Sequence, residues 1–165
     1  MTASTDTTVH ASAVLVGERA VLIRGPSGSG KSRLAFDLIL AGKAGQIAPT
    51  QLIGDDRVYL LAHGGRLTVR PARELEGLIE IRGLGVRRCA FAPAADVGLV
   101  VDLAASDAER LPGEKALEIE LFGSRLPRIP VGAGFAALPL VIAALTTTKG
   151  YAFVTSPDER LLEGN

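Results

Sequence analysis

The sequence predicts a single α/β domain of phosphate-loop type, richer in strands than in helices. Three observations carry this reading. The octet GPSGSGKS at positions 25 to 32 sits between an apolar, β-rich run and a helical pattern. Short strand-like runs recur along most of the chain, whereas helical periodicity is clear only at 33–42 and 139–150. At 165 residues and 47% hydrophobic content the chain is long and apolar enough for one domain with its own core.

Element by element, residues 1–9 are expected to form a disordered tail, because they are small, polar and lack an apolar anchor. The domain is expected over 10–150, with a C-terminal tail over 151–165. ASAVLVGERAVLIRG (11–25) predicts two strands around Gly17-Glu18, the second running into the phosphate loop. RLAFDLILAG (33–42) places Leu34, Leu38 and Ala41 on one helical face. GKAGQIAPT (42–50) is a linker punctuated by Gly and Pro. LIGDDRVYLL (52–61) predicts a strand interrupted or ended by its acid pair, and AHGGRLTVR (62–70) a hairpin turning at Gly64-Gly65. LEGLIEIRGLG (75–85) is short, apolar and broken by glycine. DVGLVVDLA (96–104) is a continuous apolar run, as in a strand buried on both faces. ALEIELFG (116–123) alternates apolar and acidic positions, and PLVIAALTTTKG (139–150) predicts a closing helix with Pro139 in its first turn. This mix departs from the regular alternation of strands and helices in the common nucleotide kinases.

Composition narrows the function. With 18 basic and 18 acidic residues the formal charge is zero, and aromatics are 4%, so neither a nucleic-acid surface nor a membrane surface is expected. Cys89 is the single cysteine, and the N-terminus has no apolar signal region, so a cytoplasmic protein is expected. The apolar stretch 135–145 is too short to span a bilayer.

The chemistry begins at the octet. Gly25, Gly28 and Gly30 allow backbone conformations closed to other residues. Together with Pro26, Ser27 and Ser29 they form a loop whose N–H groups can face phosphate oxygens. Lys31 supplies charge for the outer phosphates, and the Ser32 hydroxyl is a hard ligand for Mg2+. Phosphoryl transfer also needs a carboxylate near the metal and a group to orient the nucleophile. Two places offer one: the pair Asp55-Asp56, and Asp102 at the end of an apolar run. On pattern alone Asp102 is slightly the better match, while the pair has the advantage that two adjacent acids can divide metal and proton work. His10 and His63 read as surface and hairpin residues, and Glu80 and Arg82 as part of a strand and turn.

The ordered set of His10, GPSGSGKS, GDD (54–56) and EIRGLG (80–85) resembles the catalytic domain of HPr kinase/phosphorylase, and the last segment is its most specific item. The resemblance covers about residues 10–112 and is to the short form, limited to the catalytic domain, of alphaproteobacteria. It implies a strand-rich P-loop kinase-type domain that uses ATP and Mg2+ to phosphorylate a serine of an HPr-like phosphocarrier of the phosphotransferase system. By that resemblance Asp56 is the proton acceptor, and His10 interacts with the acid pair. Lys31 and Arg110 act on the phosphates, and Ser32, Glu80 and Asp55 surround the metal. The resemblance thus favours Asp55-Asp56 over Asp102, and it implies a homo-oligomer, a hexamer in the family.

One departure matters. Where the family has a segment of the form PVRPGRN, this chain reads PVGAGFA (130–136). Two cations suited to holding inorganic phosphate are gone, which counts against the family's reverse phosphorolysis. A small-molecule kinase and a non-catalytic ATP-binding sensor are the alternatives.

Overall fold

A computed structural model describes residues 6–150, so the segments 1–5 and 151–165, the expected C-terminal tail among them, lie outside the described residues. In chain order the chain forms β1 (Asp6–Val9), β2 (Ser12–Val16), β3 (Arg19–Arg24), α1 (Lys31–Lys43), β4 (Thr50–Gly54), β5 (Val58–His63) and β6 (Arg66–Pro71). There follow β7 (Leu78–Ile81), β8 (Gly85–Arg88), β9 (Ala95–Leu103), β10 (Glu118–Leu121), β11 (Ser124–Val131) and α2 (Ala137–Thr146).

The middle of the fold is parallel. β9 lies between β3 and β11 and runs parallel to both, with Arg24 opposite Asp102 and Asp102 opposite Pro130. The carboxyl ends of these strands therefore form one edge, the edge where ligands bind in open α/β sheets. Antiparallel strands extend the sheet on both sides, in the order β1-β5-β6-β9-β3-β2-β4. β9 is buried on both faces, as its unbroken apolar run predicts.

Side-chain alternation divides the core into two layers. Val21 and Ile23 of β3 face α1, where Leu34, Leu38 and Ala41 are all buried together with Leu99 and Val101. Ala20 and Leu22 point the other way, onto Leu60, Leu67 and Val69 of the curled β5–β6 hairpin. That hairpin turns at Gly64 and Gly65, with φ of 55° and 78°, as two-residue primed turns require.

Two elements differ from the sequence expectation. Of the segment 1–9 expected as a tail, Asp6–Val9 is a strand that pairs with β5. Its run of Thr7, Thr8 and Val9 is β-branched and fits a pleated edge, and Asp6 pairs with Arg70, whose guanidinium lies 4.4 Å over the Tyr59 ring. The strand β11 has no counterpart in the sequence reading, because Pro127 and Pro130 argue against a strand. It forms all the same, antiparallel to β10 and parallel to β9.

Candidate active site

The phosphate loop leaves β3 at Gly25 and enters α1 at Lys31. Gly28 and Gly30 take φ of 80° and 98°, and Gly30 is the N-cap with no side chain bonded to the first helical N–H groups. Those groups are left to an anion. Lys31 Nζ lies over the loop, donating to the carbonyls of Gly25 and Pro26 at 2.9 and 3.1 Å. Pro26, Ser27 and Gly28 are exposed, while the Ser29 hydroxyl is buried without a partner among the described residues.

Gly25 touches the neighbouring strand. A Cβ built there would stand 3.0 Å from Leu103 Cβ and 3.2 Å from the Leu103 carbonyl oxygen. Gly25→Ala is therefore expected to push the loop off β9. A strain of about 1.4 kcal/mol in the bound form weakens nucleotide binding about tenfold, measurable by titration with a fluorescent nucleotide.

Asp55 is the centre of the site. Gly54 ends β4 where an added Cβ would meet Val58 Cγ1 at 2.7 Å, so the chain turns tightly into the acid pair. Ala13 pairs with Gly54, which brings the start of β2 alongside. The buried Asp55 carboxylate then accepts three hydrogen bonds: from Ser12 Oγ and Ser32 Oγ at 2.7 Å each, and from the Glu80 backbone N–H at 3.0 Å. One side chain thus joins the phosphate loop, the first hairpin and the 80–85 segment.

Asp56 is different in kind. Its backbone has φ of 66°, and the Arg57 N–H bonds back to the Asp55 carbonyl at 2.7 Å. A three-residue turn with a left-handed centre is uncommon and strained. It turns Asp56 out to solvent directly beside the buried Asp55. His10 is also exposed; Val9 pairs with Val58, so His10 leaves the β1–β5 ladder at the end that carries Asp56 and Arg57.

The 80–85 segment is a hairpin of β7 and β8. The Glu80 side chain is exposed with no partner among the described residues, and its link to the site is its backbone N–H. Arg110 lies in the exposed loop after β9, at the same sheet edge as the phosphate loop, and no contact joins its side chain to the acid pair among the described residues.

Asp102 is engaged elsewhere. It receives Arg24 through Nε and Nη2 at 2.7 and 2.8 Å and Arg128 Nε at 2.6 Å. Burial alone would raise its pKa, but the hydrogen bonds and charges of the two guanidiniums outweigh it and hold the carboxyl below its ordinary range. With a folded pKa below the unfolded value of about 3.9, the stabilisation is fully present above that value and lost as pH falls through the folded one. Asp102→Asn is expected to cost about 3 kcal/mol at neutral pH. Thermal melts across pH should show its deficit against wild type shrinking only below about pH 4. Sequence reasoning missed this network and Ser12.

For Mg2+ the donors Ser32 Oγ and Asp55 are hard oxygens set side by side, with Glu80 on the next segment. No cluster of three or more His, Cys, Asp or Glu occurs among the described residues. A hydroxyl beside a carboxylate suits an ion which takes one or two carboxylates and completes its shell with phosphates and water. A cavity of about 480 Å3 lined partly by Arg19, Arg66 and Arg125 lies at the opposite end of β3 from the phosphate loop. No helix among the described residues is long and apolar enough to cross a membrane.

The chain is similar to known proteins over most of its length. The family model described as HPr serine kinase C-terminal domain matches residues 2–149. The chain is 36% identical to the HPr kinase/phosphorylase of Enterococcus faecalis over 94% of its own length and 53% of the relative's. It is 35% identical to the HPr kinase/phosphorylase of Streptococcus thermophilus over 78% of this chain and 43% of that one. The chain thus spans about half the length of the curated relatives it matches. The solved HPr(Ser) kinase/phosphatase from Coxiella burnetii superposes with a TM-score of 0.66 at 27% identity, covering 84% of this chain and 93% of that structure.

Proposed function

Because the chain belongs to the HPr serine kinase C-terminal domain family, we propose that it is an ATP-dependent protein serine kinase acting on an HPr-like phosphocarrier. The observation that carries the proposal is the Asp55 carboxylate shared by Ser32 of the phosphate loop and the Glu80 N–H, with Asp56 exposed beside it. A cradle alone binds nucleotide. A cradle tied to an exposed carboxylate can also deprotonate an incoming hydroxyl.

ATP places its phosphates in the 25–32 loop, against the uncapped N–H groups of α1 and the Lys31 ammonium. Ser32, Asp55 and Glu80 would hold Mg2+, which when bound neutralises phosphate charge. The substrate serine approaches the γ-phosphorus from solvent. Its Oγ–H proton passes to Asp56 as the Oγ–P bond forms and the bond to ADP breaks. Lys31 and Arg110 offset the charge that develops, the larger share of the rate in phosphoryl transfer. His10, leaving its strand at the same end, orients the acid pair. Gly132 to Ala136 offer no cation for inorganic phosphate, and Phe135 is 76% exposed there, so the forward reaction is the one proposed. The enzyme is proposed to be cytoplasmic and to associate with its own copies; the exposed Leu140 and Leu145 of α2 support the association, which sedimentation would check.

The test is incubation with labelled ATP, Mg2+ and the HPr-like phosphocarrier of the same organism, beside Asp56→Asn. Transfer to serine, lost in the variant, is the expected result. ATP binding without transfer to any phosphocarrier serine would overturn the proposal in favour of an ATP sensor.

A further inference from the structure

Arg128 does more than pair with Asp102. Its side chain is 12% exposed, and its guanidinium meets three separate pieces of chain. Nε donates to Asp102 Oδ2 at 2.6 Å. Nη1 and Nη2 fork onto Asp107 at 2.7 and 3.0 Å, and Nη1 also donates to the Ala116 carbonyl at 2.9 Å. Asp107 and Ala116 are the two ends of one exposed loop, and Arg110 and the 70% exposed Leu111 lie between them. On its other side Asp102 grips Arg24, the residue that immediately precedes the phosphate loop. Arg24, Asp102 and Arg128 stand on the three adjacent parallel strands β3, β9 and β11.

We infer that Arg24, Asp102, Arg128 and Asp107 form a positioning strut that fixes the Arg110 loop relative to the start of the phosphate loop, with Arg128 as its pivot. The inference rests on the kinase reading for its catalytic consequence only. Asp102 stands one residue before the end of β9, next to the phosphate-loop strand, a place suited to a metal carboxylate, yet both its oxygens are already taken by guanidiniums. Its single charge offsets one of the two arginines, and the charge left over on the group is met by Asp107. A loop closed at both ends on one planar, five-donor group has little freedom between. Lysine cannot reproduce that fork.

Asp107 is exposed, so Asp107→Ala removes both acceptors of the latch without opening the core. Two readouts test the strut in the whole chain. Trypsin should cleave after Arg110 several times faster in Asp107→Ala than in wild type, because the open loop is what the protease meets. With the phosphocarrier, kcat should fall on the order of tenfold or more while KM for ATP stays unchanged, since misplacing a group by about 1 Å costs rate, not nucleotide binding. Arg128→Lys should show both changes too, and Asp107→Glu should recover part of each. Cleavage at the wild-type rate in Asp107→Ala would overturn the strut. Faster cleavage with unchanged kcat would overturn its positioning role. If wild type transfers no phosphate, the kinase reading fails, and the cleavage rates alone decide whether the strut exists.

Discussion

Asp56→Asn is expected to lower kcat for phosphoryl transfer by about 10²–10⁴ while ATP binding is retained. The amide cannot take the serine proton, so the variant loses the base and keeps nearly the same shape. The backbone makes this substitution unusually clean. Asp56 sits at φ of 66°, a conformation that Asn tolerates as well as Asp does. Ala does not, so Asp56→Ala should add a stability loss of about 1–2 kcal/mol to the loss of rate. Asp56→Gly should lose the rate and keep the stability. Single-turnover assays with labelled ATP, together with calorimetric nucleotide titration and thermal melts, separate the two effects. An Asn variant within tenfold of wild-type kcat would remove Asp56 from the role of base.

How legible the site was depends on how local each feature is. The phosphate loop shows in the sequence because strand, glycine turn and helix start follow one another within a few residues. The Gly64-Gly65 hairpin and the split of 52–61 at Asp55-Asp56 were visible for the same reason. The resemblance favoured Asp55-Asp56 over Asp102, and in the structure two arginines occupy Asp102. Ser12 was invisible because its role comes from the register of β2 against β4, across 43 positions of sequence. Nothing in the string SAVLV marks its serine as a partner of a distant acid. Arg24 and Asp102 are 78 positions apart and meet only because β3 and β9 lie side by side. β11 was hidden by its prolines. Both fit because the strand pairs over only part of its length on each side, β9 taking Arg128 to Val131 and β10 taking Ser124 to Pro127. Partners chosen by tertiary contact leave little trace in local pattern, and the strut consists wholly of such partners.

Replacing Asp55 should separate the construction of the site from its chemistry. An ionised carboxylate only accepts, and here each oxygen has work: Oδ1 takes the two serine hydroxyls and Oδ2 the Glu80 N–H. In Asp55→Asn the remaining oxygen belongs opposite the Glu80 N–H, which cannot turn away. The amide nitrogen then faces Ser12 and Ser32, whose hydroxyls can rotate and accept. The Asn variant should therefore fold with a loss of about 1–2 kcal/mol. Without the charge beside Ser32, it should need far more Mg2+ and show a fall in transfer on the order of 10² or more. Asp55→Ala has no such way out. It leaves a backbone N–H and two hydroxyls without their acceptor in a closed space, and about 3 kcal/mol should be lost. Melting temperatures and Mg2+ dependence of the two variants, measured side by side, test the scheme. An Ala variant as stable as wild type would mean that Asp55 does not tie the three segments together. An Asn variant with normal Mg2+ dependence would mean that it ties them without serving the metal. The expected pattern, folding kept in Asn and lost in part in Ala with transfer impaired in both, follows only if one carboxylate does both.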